Sequence, residues 1–259
     1  MSLAGRVALV SGGGRGIGRA ICEGLAADGA AVAVNYHRDA DAAAEAVAAI
    51  TAKGGRAKAY QASVESWDED EAMVKAVLAD FGHIDILVNN AGIASRGQTV
   101  ADTDIAEMER VVRTHVFGSY YLCKLVMPSM RDQPRGDVVM ISSGAATSLG
   151  ANGSPYNIAK AGLEALAMTL AKEERRFNTH VNVVAPGLVE TEMGRRLARA
   201  TMGATDLRQL DARMPFGHVC QPEDVANVVR YFVSDGAGYL TGQRVQVDGG
   251  GAMMPPPAR

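Results

Sequence analysis

The chain has 259 residues, of which 47% are hydrophobic and 21% are charged. This length exceeds an ordinary domain of about 100–200 residues, but it suits an α/β sheet that folds as one unit. The formal net charge of −3 gives no general attraction for nucleic acid or anionic membranes, and residues 1–10 lack the apolar run of a signal peptide. We therefore expect one cytoplasmic domain at residues 1–254, without nucleic-acid or membrane partners, and a disordered tail at residues 255–259.

The three cysteines and five histidines are scattered along the chain. Cys22, Cys123 and Cys220 show no C-x-x-C spacing, and the histidines show no metal-ligand spacing. The sequence therefore predicts neither a disulfide nor a metal site.

Short β-branched runs alternate with longer stretches of helical period, which is the pattern of a parallel sheet covered by helices on both faces. The predicted strands are Val7–Val10, Ala31–Asn35, Lys58–Gln61, Ile84–Asn89, Val138–Ser142, Val181–Ala185 and Arg244–Val247. The predicted helices are one that ends at Gly29, Asp41–Lys53, one from the Ser66–Glu69 capping box to Phe81, Thr103–Met130, Tyr156–Phe177, and one that starts at Pro222. This order predicts a single-domain, Rossmann-type α/β fold with a doubly wound parallel sheet.

The segment Leu188–Gly217 is a long connection rich in methionine, leucine and arginine. A connection of this length often forms a mobile cover over an active site. Its apolar residues suit a packed core equally well, and the sequence leaves both readings open for Met193, Leu197, Met202, Leu207, Leu210, Met214 and Phe216.

The first chemical signal is the glycine-rich run Ser11–Gly18, between the first strand and the first helix. Glycines let the backbone turn sharply and approach a pyrophosphate, whose charge is met by free amides and the positive end of the helix dipole. Strand, turn, helix and second strand follow in the order of a dinucleotide-binding fingerprint. We expect cofactor contacts at Gly12, Arg15, Gly16, Ile17 and Gly18.

Tyr156 and Lys160 form the second signal, because residues four apart on a helix share a face. A phenol has a pKa near ~10 and is a poor proton donor or acceptor at neutral pH. An ammonium ~4 Å away would favour the phenolate by ~4 kcal/mol at an effective dielectric constant of about 20. We therefore expect Lys160 to lower the pKa of Tyr156 by a few units.

Cofactor choice depends on the end of the second strand, where an acid would bind the ribose hydroxyls of NAD and repel the extra phosphate of NADP. The sequence there is Asn35-Tyr36-His37-Arg38, without an acid. Arg15 and Arg38 are suited to clamp a 2′-phosphate, although both also fit ordinary solvated surface charges. This favours NADP(H), with NAD(H) as the alternative.

The motifs together resemble the short-chain dehydrogenase/reductase family over essentially the whole chain. The resemblance lies in Ser11-Gly12-x-x-x-Gly16-x-Gly18, Asn89-Asn90-Ala91-Gly92, Ser142-Ser143, Tyr156-x-x-x-Lys160, Pro186-Gly187 with Thr191, and Val247-Asp248-Gly249-Gly250. Within the family, the strings Val32–Arg38, Phe81–Gly92 and Val181–Thr191 look most like 3-oxoacyl-(acyl-carrier-protein) reductases.

The resemblance implies hydride transfer between a nicotinamide cofactor and a carbonyl or alcohol. It implies that Ser143 hydrogen-bonds the substrate oxygen, that Tyr156 donates the proton in reduction, and that Lys160 also holds the nicotinamide ribose. A homotetramer is implied as well. Cofactor contacts are also expected after the second strand, at His37 and Arg38. The resemblance implies further contacts after the later strands, at Ser63, Val64, Asn90, Ala91, Gly92, Pro186, Gly187, Val189 and Thr191.

Two positions depart from the family pattern. His115 stands where an asparagine usually completes a catalytic tetrad, and Ser63 stands where an aspartate often reaches the adenine ring. An imidazole in a proton relay would add a titration at roughly pH 6–7, whereas a packed side chain would add none. The sequence leaves both readings of His115 open.

Three hypotheses follow for the function. The first is an NADPH-dependent reductase of 3-oxoacyl thioesters or other ketones. An acyl carrier protein partner would dock on Arg131, Arg135, Arg175 and Arg176, although these arginines fit ordinary solvated surface charges better. The second is an enzyme that oxidises a sugar or secondary alcohol. The third, a non-catalytic dinucleotide-binding protein, is disfavoured by the presence of Ser143, Tyr156 and Lys160.

Overall fold

The computed structural model describes residues 2–251. Its strands form one parallel sheet in the order β3-β2-β1-β4-β5-β6-β7. The strands are β1 Val7–Val10, β2 Ala31–Tyr36, β3 Ala57–Gln61, β4 Ile86–Asn89, β5 Gly136–Ile141, β6 Thr179–Pro186 and β7 Arg244–Val247. The predicted doubly wound α/β fold is confirmed, and so is each predicted strand, apart from its ends.

Nine α-helices lie within residues 2–251, and six of them pack on the sheet. They are α1 Gly16–Ala27, α2 Ala40–Thr51, α3 Trp67–Phe81, α4 Ile105–Val112, α5 Gly118–Arg131, α6 Ala145–Ser148, α7 Ser154–Glu174, α8 Glu192–Met202 and α9 Pro222–Phe232. Helices α1, α2 and α9 share one hydrophobic core with the sheet, and α3, α5 and α7 share the other. None of these helices is long and apolar enough to cross a membrane. The predicted tail lies outside the described residues.

Strand ends differ from the prediction where polar residues continue the hydrogen-bonded ladder. Asp137 pairs with His180 at the start of β5 and β6, so both strands begin before their apolar runs. In contrast, the amide of Ile84 donates to the Ser129 hydroxyl at 3.1 Å instead of joining the ladder, and β4 begins only at Ile86. The polar residues that extend β5 and β6 are buried as well, so an apolar run marks neither the full length of a strand nor all of its buried part.

The predicted capping box at the start of α3 is only half present. The Ser66 hydroxyl accepts a hydrogen bond from the Glu69 amide at 3.3 Å, as expected. The Glu69 carboxylate, however, accepts from the amide of Ser63 at 2.8 Å rather than from Ser66. Glu69 therefore fixes the turn after β3, which carries the predicted adenine-contacting residue Ser63.

The predicted helix Thr103–Met130 is interrupted by a π-helical turn. Asp104, not Thr103, caps α4 by accepting from the Ala106 amide at 2.9 Å. The π turn Arg113–Phe117 then joins α4 to α5. Such turns carry an extra residue, and they occur often at functional sites. His115 lies at the centre of this one.

The segment Leu188–Gly217 is partly core and partly surface. Its helix α8 is followed by two short 3-10 helices, Leu207–Arg213 and Pro215–Gly217. Ala198, Leu207 and Leu210 belong to a small separate core, against which Met214 also packs. The exposed apolar side chains in this segment are Met193, Leu197, Met202 and Phe216. The packed-core reading is therefore correct for Leu207, Leu210 and Met214, whereas the mobile cover stays a prediction for the exposed part of the segment.

Asp70 is a buried acid on the face of α3 that also buries Met73, Val74 and Val77. Among the described residues, neither of its carboxylate oxygens has a hydrogen-bond partner. Burial, with a smaller effect of the nearby Glu69 charge, raises the pKa of Asp70 to about 8. The folded protein therefore binds a proton here that the unfolded chain has lost, and folding loses stability as pH rises from about 4 to about 8.

Asp70→Asn should remove this pH dependence, because an amide does not titrate. Relative to the wild type, the variant should gain at least ~1 kcal/mol of unfolding free energy between pH 5 and pH 8.5, since an unpaired buried charge costs several times that. Urea denaturation at both pH values measures the difference. Glu71→Gln, on the same helix at an exposed Lys75 ion pair, is the control. A stability difference that is the same at both pH values would contradict the assignment.

Candidate active site

The predicted site residues meet where the strands end. The carboxyl ends of parallel strands lie at one edge of a sheet, and a ligand crevice opens there between the two strands at which the winding reverses. In this sheet those strands are β1 and β4. The residues that follow β1, β4, β5 and β6 at this edge are the glycine turn, Asn90–Gly92, Ser142–Ser143 and Gly187.

Three polar side chains hold the glycine turn. Asn35 at the end of β2 accepts from the Gly12 amide at 3.1 Å, and the Asn90 amide group donates to the carbonyls of Ser11 and Gly12 at 2.9 and 3.1 Å. The Ser11 hydroxyl accepts from the amides of Asn90 and Ala91, both at 3.0 Å. Sequence reasoning gave Asn35 and Ser11 no role of their own, although Ser11 begins the glycine-rich run and Asn35 begins the string Asn35–Arg38 used to predict cofactor choice.

The turn packs so closely on itself and on the Asn90–Gly92 turn that two of its positions require glycine. Gly12 has a φ of +63°, and a Cβ on Gly18 would lie 2.1 Å from the Gly12 carbonyl oxygen, so side chains are excluded at both positions. Arg15 precedes α1 without a side-chain cap, which leaves the first helical amides available to an anion. These features fit the pyrophosphate of a dinucleotide.

The loop after β6 lies against the glycine turn. Thr191 caps α8 by accepting from the Gly194 amide at 3.0 Å, and its methyl group would lie 3.3 Å from a Cβ on Gly16. Val189 forms an isolated β-bridge with Cys220. A Cβ on Gly187 would lie 2.9 Å from the Asp248 Cβ. The Pro186–Thr191 loop is thus held close to the predicted cofactor turn.

The end of β2 exposes His37 and Arg38 and carries no acid at either position. The next residue, Asp39, is occupied as the cap of α2, where it accepts from the Ala42 amide at 3.1 Å. Arg15 forms an exposed ion pair with Glu192 on α8, with 2.7 Å between Nη1 and Oε2. Exposed pairs of this kind contribute little stability, so Arg15 can exchange Glu192 for a phosphate at small cost.

Ser143, Tyr156 and Lys160 lie on two neighbouring elements, the end of β5 and the start of α7. Burial raises the pKa of Tyr156, and a hydrogen bond with Ser143 opposes the rise. The Lys160 ammonium donates to the Ile141 carbonyl at 2.7 Å and lies 5.6 Å from the centre of the Tyr156 ring. Burial lowers the pKa of Lys160 to about 7, against the opposing charge of Glu164.

This geometry corrects the expected electrostatics of the pair. The sequence predicted a Tyr156 pKa lowered by Lys160, whereas the structure has it raised. The reason is desolvation: the free-energy cost of removing the phenolate from water exceeds the stabilisation that the neighbouring groups give it. Lys160 itself is so well buried that its own charged form is destabilised.

His115 is buried, and its ring lies edge-on to Tyr156 with 5.4 Å between the ring centres. Its Nε2 lies 3.1 Å from the Ile93 amide nitrogen and 2.8 Å from the Ile93 carbonyl oxygen, whereas Nδ1 has no partner among the described residues. Burial, helped by the Lys160 charge, lowers the pKa of His115 to about 3. The expected titration at pH 6–7 is therefore wrong.

A structural role for His115 explains these contacts. A Cβ on Gly92 would lie 2.4 Å from the imidazole Cε1, so the ring fills the space beside that glycine. Together with the hydrogen bond to Ile93, this packing fixes the turn that carries Asn90 and Ala91. The π turn brings His115 to this position.

His115→Asn should leave the pH dependence of the reductive rate unchanged between pH 5 and pH 9, because His115 stays neutral throughout that range. Stability should respond instead. A pKa lowered from 6.5 means that the wild type loses unfolding free energy as pH falls below 6.5, and the asparagine variant lacks this loss. Initial rates and thermal unfolding over the same pH series test both outcomes. A rate difference that appears only around pH 6–7 would restore the relay hypothesis.

A cavity of about 690 Å³ opens next to Gly144, the residue that follows Ser143, and is bordered by Gly187 and the segment Leu188–Gly217. Its apolar lining includes Leu188, Met202, Met214 and Phe216, and its polar lining includes Gln246 and Asp248. Residues 2–251 contain no group of three or more His, Cys, Asp or Glu side chains arranged to hold a metal ion.

Residues 12–252 match the family described as enoyl-(acyl carrier protein) reductase. The chain belongs to the short-chain dehydrogenase/reductase family, and it is a dehydrogenase or reductase that acts on a CH–OH/C=O pair. It is 38% identical over 254 residues to a 3-oxoacyl-(acyl-carrier-protein) reductase of Synechocystis sp., with 98% of this chain and 99% of the relative covered. It is 34% identical to the 3-oxoacyl-(acyl-carrier-protein) reductase FabG of Escherichia coli, with 98% of this chain and 100% of the relative covered.

Solved structures agree with this assignment. A 7α-hydroxysteroid dehydrogenase in complex with NADH and 7-oxo glycochenodeoxycholic acid superposes with a TM-score of 0.90 at 31% identity, covering 97% of this chain and 96% of that one. A short-chain dehydrogenase from Burkholderia cenocepacia in complex with NADP has a TM-score of 0.87 at 33% identity, covering 96% and 99%.

Proposed function

We propose that this enzyme is an NADPH-dependent ketone reductase whose substrates are 3-oxoacyl thioesters. The observation that carries the proposal is the position of Ser143, Tyr156 and Lys160 beside a glycine turn that is followed, at the end of β2, by arginine rather than an acid. The names of relatives from Synechocystis sp. and Escherichia coli support the substrate class.

The cofactor would be held by the turns at the carboxyl edge of the sheet. The glycine turn and the start of α1 would take the pyrophosphate, and the turns at Ser63–Val64 and Asn90–Gly92 would take the adenosine half. Lys160 and the Pro186–Thr191 loop would lie along the nicotinamide half. When bound, NADPH supplies the hydride for reduction.

The side chains of Tyr156 and Ser143 would act on the substrate oxygen. Tyr156 is protonated at neutral pH, because its raised pKa disfavours the phenolate. It is therefore poised to donate a proton to the oxygen on which negative charge develops, while the Ser143 hydroxyl donates a second hydrogen bond. Lys160 would stabilise the tyrosinate that remains, and would restore its proton.

The second strand supports NADPH over NADH. His37 and Arg38 are exposed at its end, and no carboxylate stands there to bind a ribose 2′-hydroxyl or repel a phosphate. Arg15, in the glycine turn, is engaged in an exposed pair with Glu192, which it can exchange for a phosphate at small cost. The structural relatives do not decide the matter, since one is described with NADP and another with NADH.

The apolar cavity next to Gly144 supports an extended hydrophobic substrate. Leu188, Met202, Met214 and Phe216 offer flexible, adaptable surfaces to an acyl chain. Docking of an acyl carrier protein would fall to Arg175 and Arg176, which are exposed, because Arg131 and Arg135 are paired with Glu174 and Asp137. Equal rates with free and carrier-linked thioesters would count against a carrier partner.

A second candidate, the oxidation of a secondary alcohol on a large apolar molecule, is supported by the likeness to the hydroxysteroid dehydrogenase. A panel of 3-oxoacyl thioesters, ketones and secondary alcohols, each with both cofactors, distinguishes it from reduction. The homotetramer stays a proposal that exposed apolar side chains on α4, the π turn, α5 and α7 support, among them Ile105, Phe117, Tyr120 and Ile158.

Tyr156→Phe should lower kcat at least about 100-fold, because it removes the proton donor, and should leave the affinity for NADPH within about twofold. Rates with a 3-oxoacyl thioester and nicotinamide fluorescence titrations measure the two effects. Tyr120→Phe, at an exposed phenol on α5, is the matched control and should leave both unchanged. Near-normal turnover of the Tyr156 variant would refute its assigned role.

Arg15→Ala combined with Arg38→Ala should weaken NADPH binding while leaving NADH binding nearly unchanged. Each lost charge-assisted hydrogen bond to the 2′-phosphate costs ~1.5–3 kcal/mol, or roughly 10- to 100-fold in the dissociation constant. Dissociation constants for both cofactors give the comparison. Arg208→Ala, on an exposed 3-10 helix, controls for the loss of positive charge. A wild type that binds NADH more tightly than NADPH would overturn the cofactor assignment.

A further inference from the structure

Glu164 and Arg244 form an ion pair beneath the catalytic residues. Glu164 lies one turn beyond Lys160 on α7, and Arg244 is the first residue of β7. The Arg244 Nε lies 2.9 and 3.0 Å from the two carboxylate oxygens of Glu164. Both side chains are largely buried, with 20% and 15% exposed for Arg244 and Glu164. Such a pair is costly to bury unless further hydrogen bonds complete it.

Besides a hydrogen bond from Arg244 Nη1 to Gln246 at 3.1 Å, the hydrogen bonds around this pair reach the end of β5. Lys160 donates to the Ile141 carbonyl at 2.7 Å, and Ser142 donates its hydroxyl proton to Glu164 at 2.6 Å. The Nη2 of Arg244 is 3.4 Å from the Ser143 carbonyl, at the long end of hydrogen-bond distance. The three successive residues Ile141, Ser142 and Ser143 are therefore held by Lys160, Glu164 and Arg244, respectively.

The Glu164–Arg244 ion pair also affects the charge state of Lys160. The groups that face Lys160 are Tyr156 and Glu164 from α7, His115 from the π turn and, through Glu164, Arg244 from β7. Tyr156 and His115 are neutral at pH 7, given their shifted pKa values. Glu164 supplies the negative charge that opposes the desolvation of Lys160. Arg244 offsets part of that negative charge.

We propose that Glu164 and Arg244 are positioning residues for the reaction, Arg244 by holding the Ser143 backbone and Glu164 by keeping Lys160 charged. The inference rests on the proposed roles of Ser143 and Lys160. Neither residue touches the substrate, so Glu164 on α7 and Arg244 on β7 would act only through Lys160 and Ser143.

The two residues should act on Lys160 with opposite sign. Glu164→Gln keeps an oxygen that accepts from Ser142 but removes the negative charge, so the pKa of Lys160 should fall below about 7. Arg244→Gln leaves Glu164 uncompensated, so the pKa of Lys160 should rise. A loss of packing alone would not shift the pKa of Lys160 in opposite directions in the two variants.

The Lys160 titration can be followed without turnover. The chain has six lysines, so NMR of ¹³Cε-labelled lysine gives few signals, and Lys160→Met identifies the one that matters. Opposite shifts of this titration in the two variants are the expected result. Titrations that superimpose on that of the wild type in both variants would overturn the proposal.

Steady-state kinetics give a second readout. Both variants should lose about 10- to 100-fold in kcat with a 3-oxoacyl thioester, because small displacements of a catalytic group cost rates of this size. The KM for the thioester should change little. Arg244→Lys keeps the charge but loses the planar donor group, so it should restore the Lys160 titration while kcat stays low. Full kcat in Arg244→Lys would show that Arg244 does not hold Ser143.

Glu174→Gln is the matched control, because Glu174 lies on the same helix and receives two hydrogen bonds from Arg131 at 2.6 and 2.8 Å. It should lower the thermal unfolding temperature without moving the Lys160 titration or kcat. The failures of the two proposals are distinguishable. A wild type that reduces no ketone would refute the proposed function, whereas an active wild type with unshifted Lys160 titrations would refute only the positioning role.

Discussion

The desolvation of Lys160 is the constraint around which this site is organised. An ammonium buried beneath the end of β5 has to be compensated, and the compensation comes from the Ile141 carbonyl and the Glu164 carboxylate. Glu164 in turn requires Arg244, which reaches the Ser143 carbonyl. The satisfaction of one buried charge thereby fixes the relative position of α7, β5 and β7. A polar network of this kind is favourable only when it is complete, which explains why its members are so closely linked.

The same low-polarity environment decides the protonation state of each titratable group in the site. Burial favours the neutral forms of Tyr156, Lys160 and His115 alike. Tyr156 is thus held in its protonated form, and His115 is held uncharged in a packed position. The direction of each shift follows from solvent exclusion, and the size is set by the few charged or hydrogen-bonding neighbours that oppose it.

The sequence was sufficient to predict the fold, because alternating strand and helix patterns in a chain of this length have few other solutions. It also predicted which turns meet at the site, since the carboxyl ends of parallel strands share an edge. It failed on electrostatics: the expected lowering of the Tyr156 pKa and the expected titration of His115 both assumed a partly solvated site. Burial depends on packing that no spacing rule reveals. The helical spacing that linked Tyr156 to Lys160 could also have linked Lys160 to Glu164, which lies four residues further along the helix. Arg244 could not be found in this way, because it comes from a strand that is distant in the sequence.

The proximity of Thr191 to Gly16 has a consequence for how strongly each ligand binds when the other is present. Thr191 begins α8, which forms part of the wall around the apolar cavity, and its methyl group lies over the turn that would receive the pyrophosphate. A nucleotide that settles that turn also restricts the start of α8. By thermodynamic linkage the effect is reciprocal: a substrate that orders α8 strengthens nucleotide binding by the same factor by which the nucleotide strengthens substrate binding. Cooperative binding of the two ligands can thus arise from one threonine seated against one glycine.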